Sequence, residues 1–333
     1  MKVLIDHNEP FLLAHGGLQI QIERTKGALE LAGLDVEYLR WWDPSQKGDL
    51  VHFFGRANPS HIAFAHGKGL NYVMQELLTS QGSRSVTHLQ LQAAANRILR
   101  KVLPANYRLP LRWDSYRSAD AIIAITDWEA KIMRELFDAP PQCIRVIPNA
   151  VEDVFFRRDS KPEGDHLICV ATITERKRVL ELAQAALTAR TPLKVIGKPY
   201  SESDPYFLRF VETVQASQGI VEYLGPIQDR EKLAARLHAA RGFVLPSTME
   251  TQSLSALEAA AAGLPLLLSD LPWAHVTFAN GATYLPLYSG PPFADLLRRF
   301  FDRAPNLPAP PKPPTWMEVA EKLISVYGSM LKV

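Results

Sequence analysis

The sequence predicts an α/β protein built on two parallel β-sheets, and three observations carry this prediction. Short runs of β-branched and aromatic residues alternate with stretches of helical periodicity over most of the 333 residues. Such alternation is typical of parallel strands joined by crossover helices. The alternation stops at a polar, proline-containing segment near 148–165 and then begins again. At about 150 residues per domain, the length also suggests two domains.

The first half opens on a predicted strand at 3–5, which a helix over 18–31 follows. Further strands are predicted at 36–39, 49–55 and 121–125. The last of these runs is continuously apolar, which indicates a strand covered on both faces. Thr126 and Glu129 then have the spacing of a capping box, so the next helix is predicted from there to about residue 136.

The second half repeats this pattern, with strands and helices of similar length. Strands are predicted at 167–170, 193–196, 221–225, 243–245 and 264–268, with helices at 179–190, 229–240 and 253–262. We therefore predict a first domain over 1–150, a linker over 151–164 and a second domain over 165–304.

Composition excludes several classes of protein. Lys and Arg total 37 against 35 Asp and Glu, so the chain lacks the basic excess typical of nucleic-acid binders. Cys143 and Cys169 are the two cysteines, and their spacing excludes a disulfide framework and a structural zinc site. No apolar run approaches the roughly 18 residues of a membrane span, and the N terminus turns polar too soon for a signal peptide. We therefore expect a cytoplasmic protein.

Prolines are concentrated near the C terminus, where six of the 25 fall within 305–314. Composition alone permits a disordered tail or a ligand for a polyproline-binding module. The position of this segment, between the second domain and a final amphipathic stretch, favours a stiff, extended strap over 305–315.

A cationic segment over 97–117 carries six cations against one anion, Asp114, with apolar residues interleaved. One interpretation is a surface that contacts anionic lipid headgroups or a phosphorylated acceptor. The other is a solvated helix and loop whose long side chains lie along apolar surface. The six cations are Arg97, Arg100, Lys101, Arg108, Arg112 and Arg117.

A composite motif follows the strand at 243–245. Residues 246–250 read Pro-Ser-Thr-Met-Glu, and residues 257–265 read Leu-Glu-Ala-Ala-Ala-Ala-Gly-Leu-Pro on a predicted helix. Ligands of open α/β sheets bind beyond the carboxyl ends of strands, and a helix N terminus offers free N–H groups to a diphosphate. A carboxylate before the helix and another two turns inside it can accept hydrogen bonds from sugar and ribose hydroxyls.

This segment resembles the retaining GT-B glycosyltransferases, most closely the family-4 (group 1) proteins. The resemblance rests on its two glutamates, its Pro-Ser pair and the Gly-Leu-Pro sequence that follows the predicted helix. Residues 146–151, Val-Ile-Pro-Asn-Ala-Val, are similar to the sequence that closes the N-terminal domain in that family. The resemblance implies two Rossmann-like domains that face a cleft. It also implies that the helix of 316–333 crosses back to the N-terminal domain.

The resemblance implies roles for residues of the motif and of the domain junction. Glu250 is expected to contact the donor hexose as a catalytic residue, and Glu258 to bind the nucleotide ribose. The remaining donor-binding residues are expected to be Thr251, Gln252, Ser253 and Asn149.

A diphosphate leaving group needs positive charge close to it when no metal is present. In the family an arginine and a lysine often follow the first strand of the second domain. Lys177 occupies the lysine position, whereas Thr172 stands where the arginine would be. We predict that Lys177 is catalytic and that Arg176 binds the donor, with Arg178 as its rival. The alternative is an exposed helix start.

The N-terminal half carries weaker parallels to the family. Gly16 and Gly17 stand where the family has a Gly-Gly loop that approaches the donor phosphates, which the lack of a Cβ permits. A plain tight turn is the alternative. Family members often have a histidine near the reacting sugar, and Glu76 is predicted close to that catalytic position. The rival candidates are His52, His61 and His66.

The predicted function is retaining transfer of a hexose or N-acetylhexosamine from a nucleotide-diphosphate sugar, UDP ahead of GDP, to a glycan or lipid-linked acceptor. Such transfer is typical of polysaccharide biosynthesis. No cofactor or metal is expected, because cationic side chains would stabilise the leaving group. A sugar-nucleotide epimerase on the same fold and a degenerate, non-catalytic homologue are the alternatives, the latter suggested by Thr172. Peripheral contact with the inner face of the membrane is expected through 97–117.

Overall fold

The computed structural model describes residues 1–8, 10–11, 16–104, 107, 111–156, 164–287 and 292–331. The chain divides into two compact units. The first unit comprises Met1–Asn149 together with Pro314–Val333, and the second comprises Ala150–Pro313.

The first unit is built on a parallel sheet with the strand order β2-β1-β3-β4-β5-β6. The strands are β1 (Lys2–His7), β2 (Asp35–Tyr38), β3 (Leu50–Phe54), β4 (Asn71–Gln75), β5 (Ala121–Ala124) and β6 (Ile144–Val146). The helices are α1 (Gly17–Leu31), α2 (Pro59–Gly67), α3 (Thr79–Gly82), α4 (Val86–Val102), α5 (Ser115–Ser118) and α6 (Asp127–Phe137). Strands β3 and β5 are buried at every position, as their apolar sequences predict.

The start of α6 differs from the predicted capping box in one contact. Thr126 is the N-cap, and its side chain accepts a hydrogen bond of 3.1 Å from the backbone N–H of Glu129. The carboxylate of Glu129 does not return to the cap. It accepts bonds of 2.8 Å from the N–H of Ile125 and 2.7 Å from the N–H of Leu78, so it ties the end of β5 to the segment after β4.

The second unit is built on a parallel sheet with the order β12-β11-β10-β7-β8-β9. Its strands are β7 (Leu167–Val170), β8 (Leu193–Ile196), β9 (Val221–Tyr223), β10 (Gly242–Leu245), β11 (Leu266–Ser269) and β12 (Thr283–Leu285). Its helices are α7 (Val179–Thr188), α8 (Pro205–Ala216), α9 (Arg230–His238), α10 (Leu254–Ala261), α11 (Pro272–Phe278) and α12 (Phe293–Arg303). The predicted α/β class with two parallel, Rossmann-like sheets is confirmed.

In each sheet the first strand lies between the second and a later strand, so the strand order reverses beside it. In the first unit β1 pairs with both β2 and β3, and in the second unit β7 pairs with both β8 and β10. Such a reversal leaves a crevice beyond the carboxyl ends of the strands, where open α/β sheets bind ligands. Each unit therefore has one such switch point.

The last helix, α13 (Trp316–Leu331), belongs to the first unit and packs against α1. Its Tyr327 is fully buried, and the hydroxyl lies 2.7 Å from Nδ1 of His52 on β3. The other ring nitrogen of His52 lies 3.1 Å from Oε1 of Gln75 on β4. Burial lowers the pKa of His52 to about 3, so the imidazole is neutral at physiological pH.

Two segments that the sequence predicts as connectors pack on the second unit instead. Val151, Val154 and Phe155 are buried in its core, so the first part of the predicted linker is not loose, because its apolar side chains find partners there. Residues 157–163 lie outside the described part. In the predicted strap, Ala304–Asn306 forms a 3₁₀ turn and Pro311 packs closely on Gly281, where a Cβ would come within 2.6 Å of its ring.

Candidate active site

The switch point of the second unit brings together three charged side chains from two loops. The ammonium of Lys177 is in direct contact with Oε1 of Glu250, and the guanidinium of Arg176 lies 3.5 Å from the same oxygen. The Glu250 residue is only 7% exposed. The structure thus brings together the three residues that the sequence predicts for donor chemistry, although 73 positions separate Lys177 from Glu250.

Local backbone structure explains how these side chains converge. After β7, residues Glu175–Lys177 form a 3₁₀ turn that Arg178 ends in the left-handed region, at φ 52°. The backbone N–H of Thr248 donates to the carbonyl of Arg176 at 2.8 Å, and the Arg176 guanidinium donates to the carbonyl of Met249 at 2.7 Å. These bonds join the loop after β7 to the loop after β10.

Arg178, the rival for the missing cation, has different surroundings. Its guanidinium lies 5.9 Å from the ring centroid of Phe293. Arg176 therefore supplies the second positive charge beside Glu250, while Thr172 lies half-buried after the end of β7.

The segment between Glu250 and α10 is buried and polar. Ser253 is the N-cap of α10, and its hydroxyl accepts a bond of 3.3 Å from the N–H of Ala256. Gln252 donates to the hydroxyl of Thr277 at 3.4 Å. Thr251, Gln252 and Ser253 are all buried, so the three predicted donor-binding residues lie in the packed segment that leads to the helix N terminus.

Glu258, on α10, is 5% exposed and belongs to an ion network that sequence reasoning missed. The guanidinium of Arg230 contacts its Oε1 and also bonds Oε2 of Glu152, at 2.7 Å from Nε. The same guanidinium lies 4.8 Å from the ring centroid of Phe155. Burial lowers the pKa of Arg230, but the two carboxylates outweigh it and leave the pKa above its usual value.

The predicted residues of the first unit lie at the carboxyl ends of its strands or at its helix starts. Gly16 precedes α1 at φ 148° and ψ −156°, a conformation that is almost confined to glycine, while His15 lies outside the described residues. Gly17 begins α1. Asn149 is buried and accepts a bond of 2.6 Å from Gln21. The donor-binding roles of Gly16, Gly17 and Asn149 stay predictions.

Glu76 follows β4 directly and is held by two neighbours. Nε of Arg56 donates to its carboxylate at 2.8 Å, and the hydroxyl of Tyr116 donates to the same oxygen. The Arg56 guanidinium also lies 4.2 Å from the ring centroid of Phe137. Among the rival histidines, His52 is fixed in the core, while His66 lies 2.8 Å from the carboxylate of Asp120. A catalytic role for Glu76 stays a prediction.

Several side chains of the cationic segment 97–117 are bound locally in the part of it that the structure describes. Arg100 donates to the carbonyl of Leu136 at 3.2 Å, Arg112 to the carbonyl of Arg56 at 2.8 Å, and Arg117 lies 2.7 Å from Asp138. Arg97 and Lys101 lie exposed on α4, whereas Arg108 lies outside the described residues.

Within the described ranges, no group of three or more His, Cys, Asp or Glu side chains could hold a metal ion. No helix in those ranges is both long and apolar enough to span a bilayer.

Comparison with known families assigns both halves of the chain. Residues 164–295 match the family model described as glycosyl transferases group 1, and residues 34–154 match the one described as glycosyltransferase family 4. The chain is therefore a member of the GT-B-fold glycosyltransferases, as its sequence motifs predict.

The individual relatives share only part of their sequence with this chain. A D-inositol 3-phosphate glycosyltransferase of Nocardiopsis dassonvillei is 32% identical over 188 residues, which cover 50% of this chain and 44% of the relative. The match thus spans less than half the length of that protein.

Among solved structures, sucrose-phosphate synthase of Thermosynechococcus elongatus aligns over 99% of both chains with a TM-score of 0.69 at 17% identity. Anabaena HepE in complex with UDP and glucose aligns over 98% of this chain and 97% of its own, with a TM-score of 0.65 at 10% identity. At these identities the likeness concerns the fold.

Proposed function

We propose that the chain is a retaining glycosyltransferase that moves a hexose or N-acetylhexosamine from a UDP-sugar to a glycan or lipid-linked acceptor. The observation that carries this proposal is the cluster of Lys177, Arg176 and Glu250 at the switch point of β7 and β10. Two cations, a buried carboxylate and the nearby start of α10 suit a diphosphate with a sugar attached.

The cations act on the leaving group. As the bond between the sugar C1 and the diphosphate oxygen breaks, negative charge builds on that oxygen, and Lys177 and Arg176 stabilise it. One preorganised contact of this kind is worth on the order of 10²–10³ in kcat. Their guanidinium and ammonium groups are held beside Glu250 by the loop-to-loop bonds, so they need little reorganisation during the reaction.

Bond formation occurs on the same face of the sugar in this proposal. The acceptor hydroxyl oxygen forms the new bond to C1, and its proton passes to an oxygen of the departing diphosphate. The reaction therefore requires no strong protein base and no metal, because the positive charge comes from side chains.

The two glutamates recognise the donor. Glu250 accepts hydrogen bonds from hexose hydroxyls while it orients the two cations. Glu258 accepts bonds from the ribose diol, and Arg230 holds its carboxylate in place. A carboxylate has about four acceptor positions, so the contact with Arg230 is compatible with that role. UDP is favoured because Anabaena HepE, a structural neighbour, was solved with UDP and glucose.

Peripheral membrane contact is the second part of the proposal. On α4, Leu89, Ala93 and Asn96 are buried, while Leu91, Ile98 and Val102 are 63–72% exposed on the other face. Arg97 and Lys101 lie exposed among these apolar residues. An apolar stripe flanked by cations suits the interface of an anionic bilayer, where a lipid-linked acceptor would lie.

The test combines binding and product analysis. Calorimetry with UDP and GDP measures donor-side affinity, and NMR follows UDP-sugars incubated with glycan acceptors and with D-inositol 3-phosphate. We expect UDP to bind, and Lys177→Ala to lower kcat/KM by roughly 100-fold or more. Arg178→Ala is the matched control, because it removes a neighbouring cation that lies against Phe293.

The alternatives produce different outcomes in the same assay. An epimerase would convert the nucleotide sugar without transfer to any acceptor, and a degenerate homologue would leave every donor unchanged. Failure to bind any nucleotide sugar would refute the proposal.

A further inference from the structure

The switch point of the first unit carries a different chemistry from that of the second. Asp6, at the end of β1, accepts a bond of 3.2 Å from the indole N–H of Trp41, which lies in the loop after β2. The Trp41 ring also meets His61, near the start of α2, edge to face with centroids 5.8 Å apart. Trp41 thus reaches from the strand β1 to the helix that follows β3, over the point where the strand order reverses.

The loops after β1 and β3 approach each other closely. Gly55, directly after β3, has φ 132°, and a Cβ there would lie 2.3 Å from the side-chain nitrogen Nδ2 of Asn8, after β1. Only glycine permits this approach without displacement of Asn8. Glycine at this position therefore lets the side chain of Asn8 lie directly over the backbone that follows β3.

Polar contacts join the two ends of the loop that carries Trp41. Arg40 bonds Asp43 through Nε at 3.0 Å and Glu37 through Nη1 at 2.7 Å. The amide of Gln46 accepts from the N–H of Arg40 at 2.8 Å and donates to the carbonyl of Tyr38 at 3.0 Å. Despite these contacts, Trp41 is 67% exposed.

An exposed indole at a ligand-binding crevice can stack against a flat, apolar surface of a ligand. The axial C–H face of a pyranose ring is such a surface, because its polarised hydrogens meet the negative face of the aromatic ring. The hydroxyl groups at the edge of the sugar then find hydrogen-bonding groups in Asp6 and His61. A phosphate would be a poor occupant, because Asp6 adds negative charge beside the indole.

We propose that Trp41 is the stacking surface for a pyranose ring of the acceptor, so that the acceptor offers a saccharide rather than a bare phosphorylated group at the first unit. This inference rests on the proposed glycosyl transfer. It names the class of acceptor and a residue that determines specificity for it.

The experiment compares two neighbouring tryptophans. Trp42 is 80% exposed, more than Trp41, and serves as the matched control, because the contacts with Asp6 and His61 belong to Trp41. Saturation-transfer NMR measures binding of the methyl glycosides of glucose, galactose, mannose and N-acetylglucosamine to the full chain. We expect Trp41→Ala to weaken binding about tenfold to a hundredfold, the range that loss of one stacked ring produces. Trp42→Ala is expected to change it less than about twofold.

Two further measurements test whether the loss of sugar binding comes from the aromatic face of Trp41. Trp41→Phe retains an aromatic face without the N–H and is expected to recover part of the affinity. Calorimetry with UDP is expected to give the same affinity for the wild type and all three variants, because UDP binding is assigned to the second unit. Thermal unfolding checks that each variant folds, as expected for exposed positions.

The outcomes separate this inference from the proposed function. If UDP binds but no methyl glycoside does, or if Trp41→Ala binds sugars like the wild type, the inference is wrong and the glycosyl transfer survives. Equal losses from both alanine variants would place the sugar outside the crevice and also overturn it. Lost binding to anionic vesicles in Trp41→Ala, with sugar binding unchanged, would assign the indole to lipid instead. Absence of UDP binding refutes the proposed function itself.

Discussion

Arg230 gives the sharpest test of the second unit, because one guanidinium faces two carboxylates there. Replacing it by methionine keeps most of the apolar contact with Phe155 but removes the charge. Glu258 and Glu152 then lie close to one another without their shared cation. We expect the variant to fold with reduced stability and weaker affinity for UDP.

The magnitude follows from the burial of the three side chains. Removing one partner of a well-buried ion pair costs about 3–5 kcal/mol. The Arg230 side chain is 22% exposed and that of Glu258 is 6% exposed, so solvent screens part of the interaction. We therefore expect a loss of about 2–3 kcal/mol, or a decrease in melting temperature of roughly 4–12 °C for a domain of this size.

The loss of folding stability in Arg230→Met is expected to become smaller as the pH falls. Without the guanidinium, two negative carboxylates face each other in the folded variant, and protonation of either one removes that repulsion. The deficit is therefore largest at neutral pH and narrows as the pH falls toward about 4.3, the ordinary pKa of glutamate. Scanning calorimetry of wild type and Arg230→Met across this range measures it.

A double variant supplies the control. Adding Glu258→Gln to Arg230→Met removes the charge of the carboxylate that Arg230 contacts and is expected to recover part of the lost stability, with non-additive single effects. A loss below about 1 kcal/mol for Arg230→Met that does not change with pH would refute the electrostatic reasoning.

Three further predictions concern the first unit. Tyr327→Phe removes the hydroxyl that meets the buried His52 and is expected to destabilise the first unit by about 1–2 kcal/mol in calorimetry, whereas an unchanged melting temperature would contradict this. Burial raises the pKa of Glu129 to about 8, so the stability of the first unit is expected to be greatest at mildly acidic pH and to fall as the pH rises toward 8. Glu129→Gln should remove that slope in pH-dependent unfolding curves. Ile98→Glu on α4 is expected to reduce co-sedimentation with vesicles that contain anionic lipid at least tenfold, with Ile98→Ala as the milder control and no effect on UDP affinity.

The sequence predicts the fold well where hydrophobic pattern and position agree. The continuously apolar run at β5 and the strands predicted at 167–170 and 193–196, which are β7 and β8, are examples. Strand β4 escaped prediction because it begins with Asn71 and ends with Gln75, and these polar ends hide its place in the middle of the sheet. Gln75 is tolerated there because its amide oxygen lies against the ring of His52, a contact that no local pattern indicates.

The sequence likewise predicts some residues of the candidate site and not others. Lys177 and Glu250 follow different strands, and the resemblance to a known family, rather than their spacing, predicted them together. Arg230 lacked any comparable signal, because its partners lie 28 and 78 residues away and nothing around it departs from an ordinary surface helix. Trp41 was missed for a related reason: a tryptophan in an unaligned loop gives no sign of exposure until the fold is known.

In the proposed reaction each unit uses its switch point for a different kind of ligand, and the residues explain why. A nucleotide diphosphate carries charge that must be matched, and the second unit provides Lys177 and Arg176 around a buried carboxylate. A neutral sugar ring offers little charge, so recognition depends on an apolar face and on hydrogen bonds at its edge, which Trp41 and Asp6 supply in the first unit. A mutation that weakens the binding of one substrate should therefore leave the affinity for the other intact, because the two sets of contacts share no residue. Transfer requires both substrates, so kcat/KM falls in either case, and only separate binding measurements reveal which switch point has failed.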